Sequence, residues 1–215
     1  MDPGTCLCTA KYDFTVLCRN CEEESPTPTL CDVTGVVPRW LDGQLIYNGP
    51  GKNKVGESSY KHTFDASALL QKFDITKGQI LYSNSFLRSK VYEANQASGK
   101  ISKAEFGTPA PKDNKSRFSK FMSAMDPEKL MSDNALVSVV EIGGNYYALP
   151  ETPFMLKIDP VTLKTLERFN INKTTGLTTQ SPHPLVDKDG SIFSIGQAVG
   201  ITGPKYNIIR YPPDG

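Results

Sequence analysis

The sequence predicts an all-β fold. Short apolar or alternating runs recur along most of the chain. Gly, Pro, Asn and Asp separate them, as strand-and-turn chains require. Two of the runs flank a Gly-rich turn and read as a hairpin. Strands this short suit a sandwich, a barrel or a propeller, and periodicity leaves the three open.

In chain order, Gln79-Ile80-Leu81-Tyr82-Ser83-Asn84-Ser85-Phe86 is the first clear run. Ala135-Leu136-Val137-Ser138-Val139-Val140-Glu141 is the next. The turn Ile142-Gly143-Gly144-Asn145 joins it to Tyr146-Tyr147-Ala148-Leu149. Phe154-Met155-Leu156-Lys157-Ile158 ends at Asp159-Pro160, a turn signal. His183-Pro184-Leu185-Val186 leads through Asp187-Lys188-Asp189-Gly190 into Ser191-Ile192-Phe193-Ser194-Ile195. Residues 205–211 form the last strand candidate.

Composition bounds the function. The chain has 215 residues, 38% hydrophobic and 22% charged, which is enough for a core and too apolar for wholesale disorder. Its 24 basic and 23 acidic residues give a net charge of +1, with no electrostatic footprint for nucleic acid. No apolar run has the roughly 18 residues that span a bilayer. Residues 1–14 lack the apolar stretch of a signal peptide. A cytoplasmic protein is the expectation.

Residues 1–34 read as a Cys-rich, weakly ordered extension and linker, and residues 35–215 as the folded part. All five cysteines lie in the extension, at Cys6, Cys8, Cys18, Cys21 and Cys31. Cys18-Arg19-Asn20-Cys21 has zinc-ligand spacing, yet no second pair completes a finger. Reduced thiols and a zinc site both stay open. Glu22-Glu23-Glu24-Ser25-Pro26-Thr27-Pro28-Thr29 reads as a linker.

One segment departs from the β pattern. Over residues 115–131, Phe118, Phe121, Met122 and Met125 fall on one face of a helix, beside Lys115, Arg117 and Lys120. Such a basic amphipathic helix packs its stripe on a sheet or lies in a membrane interface.

Several motifs occur together in order: Val37-Pro38-Arg39-Trp40-Leu41-Asp42-Gly43, Asn48-Gly49-Pro50-Gly51, Tyr60-Lys61-His62-Thr63-Phe64-Asp65 and Ala68-Leu69-Leu70-Gln71-Lys72-Phe73. Ser85-Phe86-Leu87-Arg88-Ser89, Glu105-Phe106-Gly107-Thr108, Asp133-Asn134, Glu151-Thr152, Ile158-Asp159-Pro160-Val161-Thr162-Leu163 and His183-Pro184 follow. This series resembles the N-terminal part of the carotenoid cleavage oxygenases over residues 35–212. It is most similar to the animal branch of β-carotene oxygenases, insect carotenoid isomerooxygenases and the retinoid isomerase.

The resemblance implies a seven-bladed β-propeller, here partial, with a short amphipathic helical segment. It implies a non-haem Fe(II) held by four histidines that activates O2 to cleave a carotenoid double bond. Some members isomerise a retinoid. Neutral imidazole suits ferrous iron and leaves positions open for O2. Carboxylates that accept the far ring N–H of each ligating histidine orient the rings.

Carried over residue by residue, His183 is the metal ligand and Glu151 the supporting carboxylate. Phe86 lines the substrate cavity. His62 and Asp65 belong to a structural motif. Phe118, Phe121, Met122 and Met125 are candidates for peripheral membrane contact, with no cysteine nearby to acylate. Pro150 replaces the Thr common before the glutamate, Leu185 the second His of His-Pro-His, and Ala66 the Gly after Phe-Asp. If that Gly has φ > 0 in relatives, Ala66 is strained here by roughly 1 kcal/mol.

The chain has only two histidines, and none follows His183. Three of the four implied ligands are therefore missing, and at roughly 40–50 residues per blade the chain makes at most about four blades. The expectation is a fragment of a carotenoid oxygenase, inactive by itself. The alternatives are a truncated, non-catalytic carotenoid- or retinoid-binding module and a degenerate relative with another role.

Overall fold

The computed structural model describes residues 19–109, 131–200 and 203–214. The amphipathic segment with Phe118, Phe121, Met122 and Met125 lies outside the described residues, as do Cys6, Cys8 and Cys18.

Fourteen strands are described. The first sheet holds β1 (Thr29–Leu30), β2 (Gly43–Lys52), β5 (Ser67–Thr76) and β6 (Gln79–Phe86), in the order β1-β6-β5-β2. β3 (Lys54–Val55) and β4 (Ser58–Ser59) form a small hairpin between them. The second sheet runs β10 (Thr165–Asn170), β9 (Phe154–Ile158), β8 (Asn145–Leu149), β7 (Ser138–Ile142). In the third, β13 (Ile192–Gly200) pairs with β14 (Gly203–Tyr211) on one side. Its other side pairs with the short β11 (Thr179–Gln180) and β12 (Leu185–Val186). All these pairings are antiparallel.

The sheets follow one another as blades. β2 packs beside β7, and the Asn48 side-chain amide donates to the Ala135 carbonyl just before β7. The Ser138 hydroxyl on β7 donates to the Pro182 carbonyl between β11 and β12. The strand edges β2, β7 and β11/β12 therefore line one side of an open arc. The described residues close no ring.

Two apolar cores sit between the blades. Leu70, Ala68, Leu87, Leu136, Phe154, Leu156, Ile158 and Leu163 fill the first interface. Val140, Ile142, Leu149, Met155 and Ile192 fill the second, with Tyr211 against them. β9 is buried on both faces because it serves both cores. This explains why it reads as a continuous apolar run rather than an alternation.

A buried lysine bolts the first interface. Lys72 on β5 is 2% exposed; its ammonium donates to the Val161 carbonyl at 2.7 Å and pairs with Asp74 at 3.0 Å. The receiving loop is tied by its own hydrogen bonds: Asp159 accepts from the Val161 N–H at 2.8 Å and from the Thr162 hydroxyl at 2.7 Å.

The structure adds a helix absent from the sequence expectations, α1 (Lys90–Ser98). The Ser89 hydroxyl caps it by accepting from the Tyr92 N–H at 3.1 Å, and Gly99 ends it in the left-handed region at φ 63°. Ser89 and Gly99 were the legible signal. Val91 and Asn95 are its buried residues, so it has no apolar stripe to read. A second helix, α2 (Asn172–Thr175), is a single turn.

Residues 19–34 lie against the first sheet. β1 pairs with β6 within the stretch that reads as a linker. Glu24 accepts from the Phe86 N–H and the Arg88 guanidinium, each at 2.5 Å, and from the Ser85 hydroxyl at 3.0 Å. A lone acidic run does not announce such partners sixty residues away. No helix among the described residues is long and apolar enough to cross a membrane.

Candidate functional site

The third blade holds His183 by a backbone device. β11 and β12 would be one strand on β13, but the segment 181–184 carries Pro182 and Pro184. Neither proline has an N–H for the ladder, so pairing stops there and resumes at Leu185. The Ser181 N–H still donates to Ile195, and its carbonyl accepts from the Ser194 hydroxyl at 2.9 Å. His183 stands out of the ladder between these anchors. It is exposed, and its N–H donates to the Ser181 hydroxyl at 3.2 Å.

Glu151 belongs to the turn between β8 and β9. Its carbonyl accepts from the Gln180 N–H at 3.1 Å, which ties this turn to the strand leading to His183. Its side chain is exposed. The next residue, Thr152, donates its hydroxyl to the Ser132 carbonyl at 2.9 Å. Ser132 in turn donates its own hydroxyl to Glu105 at 2.6 Å. Burial pushes the Glu105 carboxyl up to about 8, and Asp65 and Asp133 add to the shift; the Ser132 hydrogen bond and Lys103 oppose it.

Glu105 opens Glu-Phe-Gly-Thr, and this motif docks on His-Thr-Phe-Asp. Asp65, fully buried, accepts from the Gly107 N–H at 2.9 Å and the Thr108 hydroxyl at 2.6 Å. The Lys61 N–H donates to the Thr108 oxygen at 2.8 Å. Residue 107 must be Gly, because a Cβ there would lie 2.6 Å from the Cβ of His62. His62 caps the 3-10 turn Thr63–Asp65, its Nδ1 accepting from the Phe64 N–H at 3.1 Å. Ala66 has φ −56°, so the strain expected if this position needed φ > 0 is absent.

The docked motifs leave three rings together in the open. His62 lies edge-on to Phe64 at 4.9 Å and to Phe106 at 5.1 Å, with 6.1 Å between the phenylalanines. Phe64 is 61% and Phe106 72% exposed. Sequence reading assigned neither phenylalanine a role. Phe86 is instead 3% exposed, stacked on Tyr92 at 5.3 Å and packed over Gly51.

The donors among the described residues do not make a complete metal site. Among the described residues, no three His, Cys, Asp or Glu side chains stand close enough together to hold a metal ion. Burial, with Glu24 and Glu22 nearby, pushes the Cys21 thiol up, away from the thiolate that metals bind.

Residues 18–215 match the family of the retinal pigment epithelial membrane protein. The chain belongs to this family. Similar members include carotenoid isomerooxygenase of Galleria mellonella, 38% identical over 201 residues, covering 93% of this chain and 39% of the relative. Human mitochondrial carotenoid-cleaving dioxygenase is 40% identical over 196 residues, covering 89% and 34%. Mouse beta,beta-carotene 15,15'-dioxygenase is 39% identical over 196 residues, again covering 89% and 34%. The chain thus spans little more than a third of the length of these relatives. Among solved structures, a Synechocystis ACO mutant matches with a TM-score of 0.72 at 21% identity, covering 91% of this chain and 41% of that one. An ACO/RPE65 chimera matches with a TM-score of 0.68 at 21% identity, covering 90% and 41%. The retinal pigment epithelial membrane protein family thus supplies the fold: the three sheets are blades of an incomplete β-propeller.

Proposed function

We propose that residues 19–214 are part of a carotenoid oxygenase that cleaves or isomerises a conjugated polyene with Fe(II) and O2. The observation that carries this reading is His183, held out of its ladder by two prolines at the β11/β12 edge of the third sheet. Glu151 supports it, since its turn is hydrogen-bonded to the strand leading to His183. In this reading His183 contributes one imidazole to a ferrous site completed by histidines this chain lacks, and Glu151 orients one ring. Bound there, Fe(II) supplies the means to activate O2. In this reading Phe86, packed on Tyr92, backs the wall of the polyene site from the interior, and the amphipathic segment is the contact with a membrane.

The third blade supports a larger ring. Leu185, Ile195, Val199, Tyr206 and Ile208 are all more than half exposed on it. In this reading a further blade covers them.

The chain by itself should retain no stoichiometric iron and release no aldehyde from carotenoid. Fused to the remaining length of the Galleria mellonella relative, it should do both, and His183→Ala should abolish iron retention. Full iron in that variant overturns the ligand assignment.

A second reading rests on the exposed rings of His62, Phe64 and Phe106. Here the chain binds a polyene without transforming it. Saturable quenching of Trp40 fluorescence by an apocarotenal, lost in a Phe64→Ser, Phe106→Ser double variant, is its signature.

A further inference from the structure

Ser132 joins two parts of the molecule that are distant in sequence. Its hydroxyl donates to Glu105 at 2.6 Å and accepts from the Asn134 N–H at 3.1 Å. Its carbonyl accepts from Thr152 at 2.9 Å. Ser132 is 7% exposed, so water competes poorly for either end. The Glu151 carbonyl accepts from the Gln180 N–H at 3.1 Å, so a displacement of Thr152 reaches the strand before His183.

We propose that Glu105 is a positioning residue for the Glu151–Thr152 turn, acting through Ser132. The proposal stands on these hydrogen bonds and does not depend on His183 holding a metal.

The charge state of Glu105 sets how firmly the tie is held. Asp65 and Asp133 face it with negative charge, Tyr60 lies close by, and Lys103 is the nearby cation. The Lys103 ammonium also donates to the Met131 carbonyl at 3.1 Å, beside Ser132. At neutral pH Glu105 keeps its proton. Above about pH 8 Glu105 gains a negative charge that Asp65 and Asp133 both oppose. Repulsion then moves the Glu105 carboxyl and Ser132 follows, because the Oγ hydrogen bond to an ionised carboxylate is the stronger one. The Thr152 end of the tie shifts with it.

The test is a pH titration of the full chain by NMR, with glutamate labelled at its carboxyl carbon and backbone nitrogen labelled throughout. The Glu105 resonance should titrate near pH 8, and the amides of Thr152 and Gln180 should move with the same midpoint. Glu105→Gln, which keeps the hydrogen-bonding shape, should leave both amides stationary across that range. Ser132→Ala should leave Glu105 titrating and the amides still. Thr152→Val, which cuts only the far end, should do the same and serves if Ser132→Ala fails to fold. Amides that stay still in the parent chain, or that still move in Glu105→Gln, overturn the proposal. Movement that persists in both Ser132→Ala and Thr152→Val overturns the route through Ser132.

Discussion

Arg168 on β10 donates through Nε to Asp133 at 2.7 Å while its guanidinium lies 3.8 Å over the Phe154 ring. Asp133 is 1% exposed and also accepts from the Lys90 and Val91 N–H groups at 3.0 Å each. One carboxylate thus holds the start of α1 and the outer strand of the second blade.

Removing that carboxylate takes a charged partner from the mostly buried Arg168 and an acceptor from two helix N–H groups. Asp133→Ala should cost about 3–5 kcal/mol, the range for a broken buried pair. Urea denaturation measures it. A loss below about 1 kcal/mol would show that the pair does not hold these elements together.

Glu105 should make stability depend on pH. Its folded value of about 8 lies above the ordinary 4.5. Between those values the unfolded chain is ionised there and the folded chain is not, so folding gains protons and stability falls as pH rises. The contribution is fully present below about pH 4.5 and lost as pH passes 8. Glu105→Gln removes the penalty. Thermal melts should show the variant gaining on the parent between pH 5 and 9, by about 2 kcal/mol. This is below the roughly 5 kcal/mol that 1.4 kcal/mol per pH unit gives over the whole shift, because the carboxyl keeps some contact with water.

Two glycines of Asn48-Gly49-Pro50-Gly51 should behave differently. A Cβ at Gly51 would lie 2.9 Å from Phe86 Cε1 and closer still to Leu69, whereas one at Gly49 meets nothing within 4 Å. Gly51→Ala should destabilise by about 1–3 kcal/mol through overpacking. Gly49→Ala should stay within about 0.5 kcal/mol. Equal effects at both positions would contradict the packing seen here.

Ile195 and Ile208 are opposite one another on β13 and β14 and point to the exposed face of the third blade. An apolar sheet face of this kind drives association. Replacing both with Thr should lower light-scattering mass at high concentration and leave the denaturation midpoint nearly unchanged. An unchanged scattering mass would mean that this face does not stick.

Much of the strand layout was legible. Residues 79–86, 145–149 and 154–158 are strands, because local alternation or continuous apolarity follows directly from which faces are covered. α1 left only its caps, Ser89 and Gly99, to read, since its stability comes from them and from Asp133 rather than from an apolar stripe. Of the candidate site, the sequence picked out His183, Glu151, His62 and Asp65 one by one. Ser132 and Thr152, which carry the tie to Glu105, have ordinary side chains in ordinary contexts. Only their approach in space gives them a role.

The sequence by itself determined the β class, the turns and the membership-bearing motifs, all local in the chain. Tertiary structure decided which motifs are partners: His-Thr-Phe-Asp with Glu-Phe-Gly-Thr, Lys72 with the Val161 loop, Glu24 with Arg88. These contacts join residues forty to ninety positions apart. Hydrogen bonds and burial across such separations depend on how blades stack, and no local pattern of residues encodes that stacking.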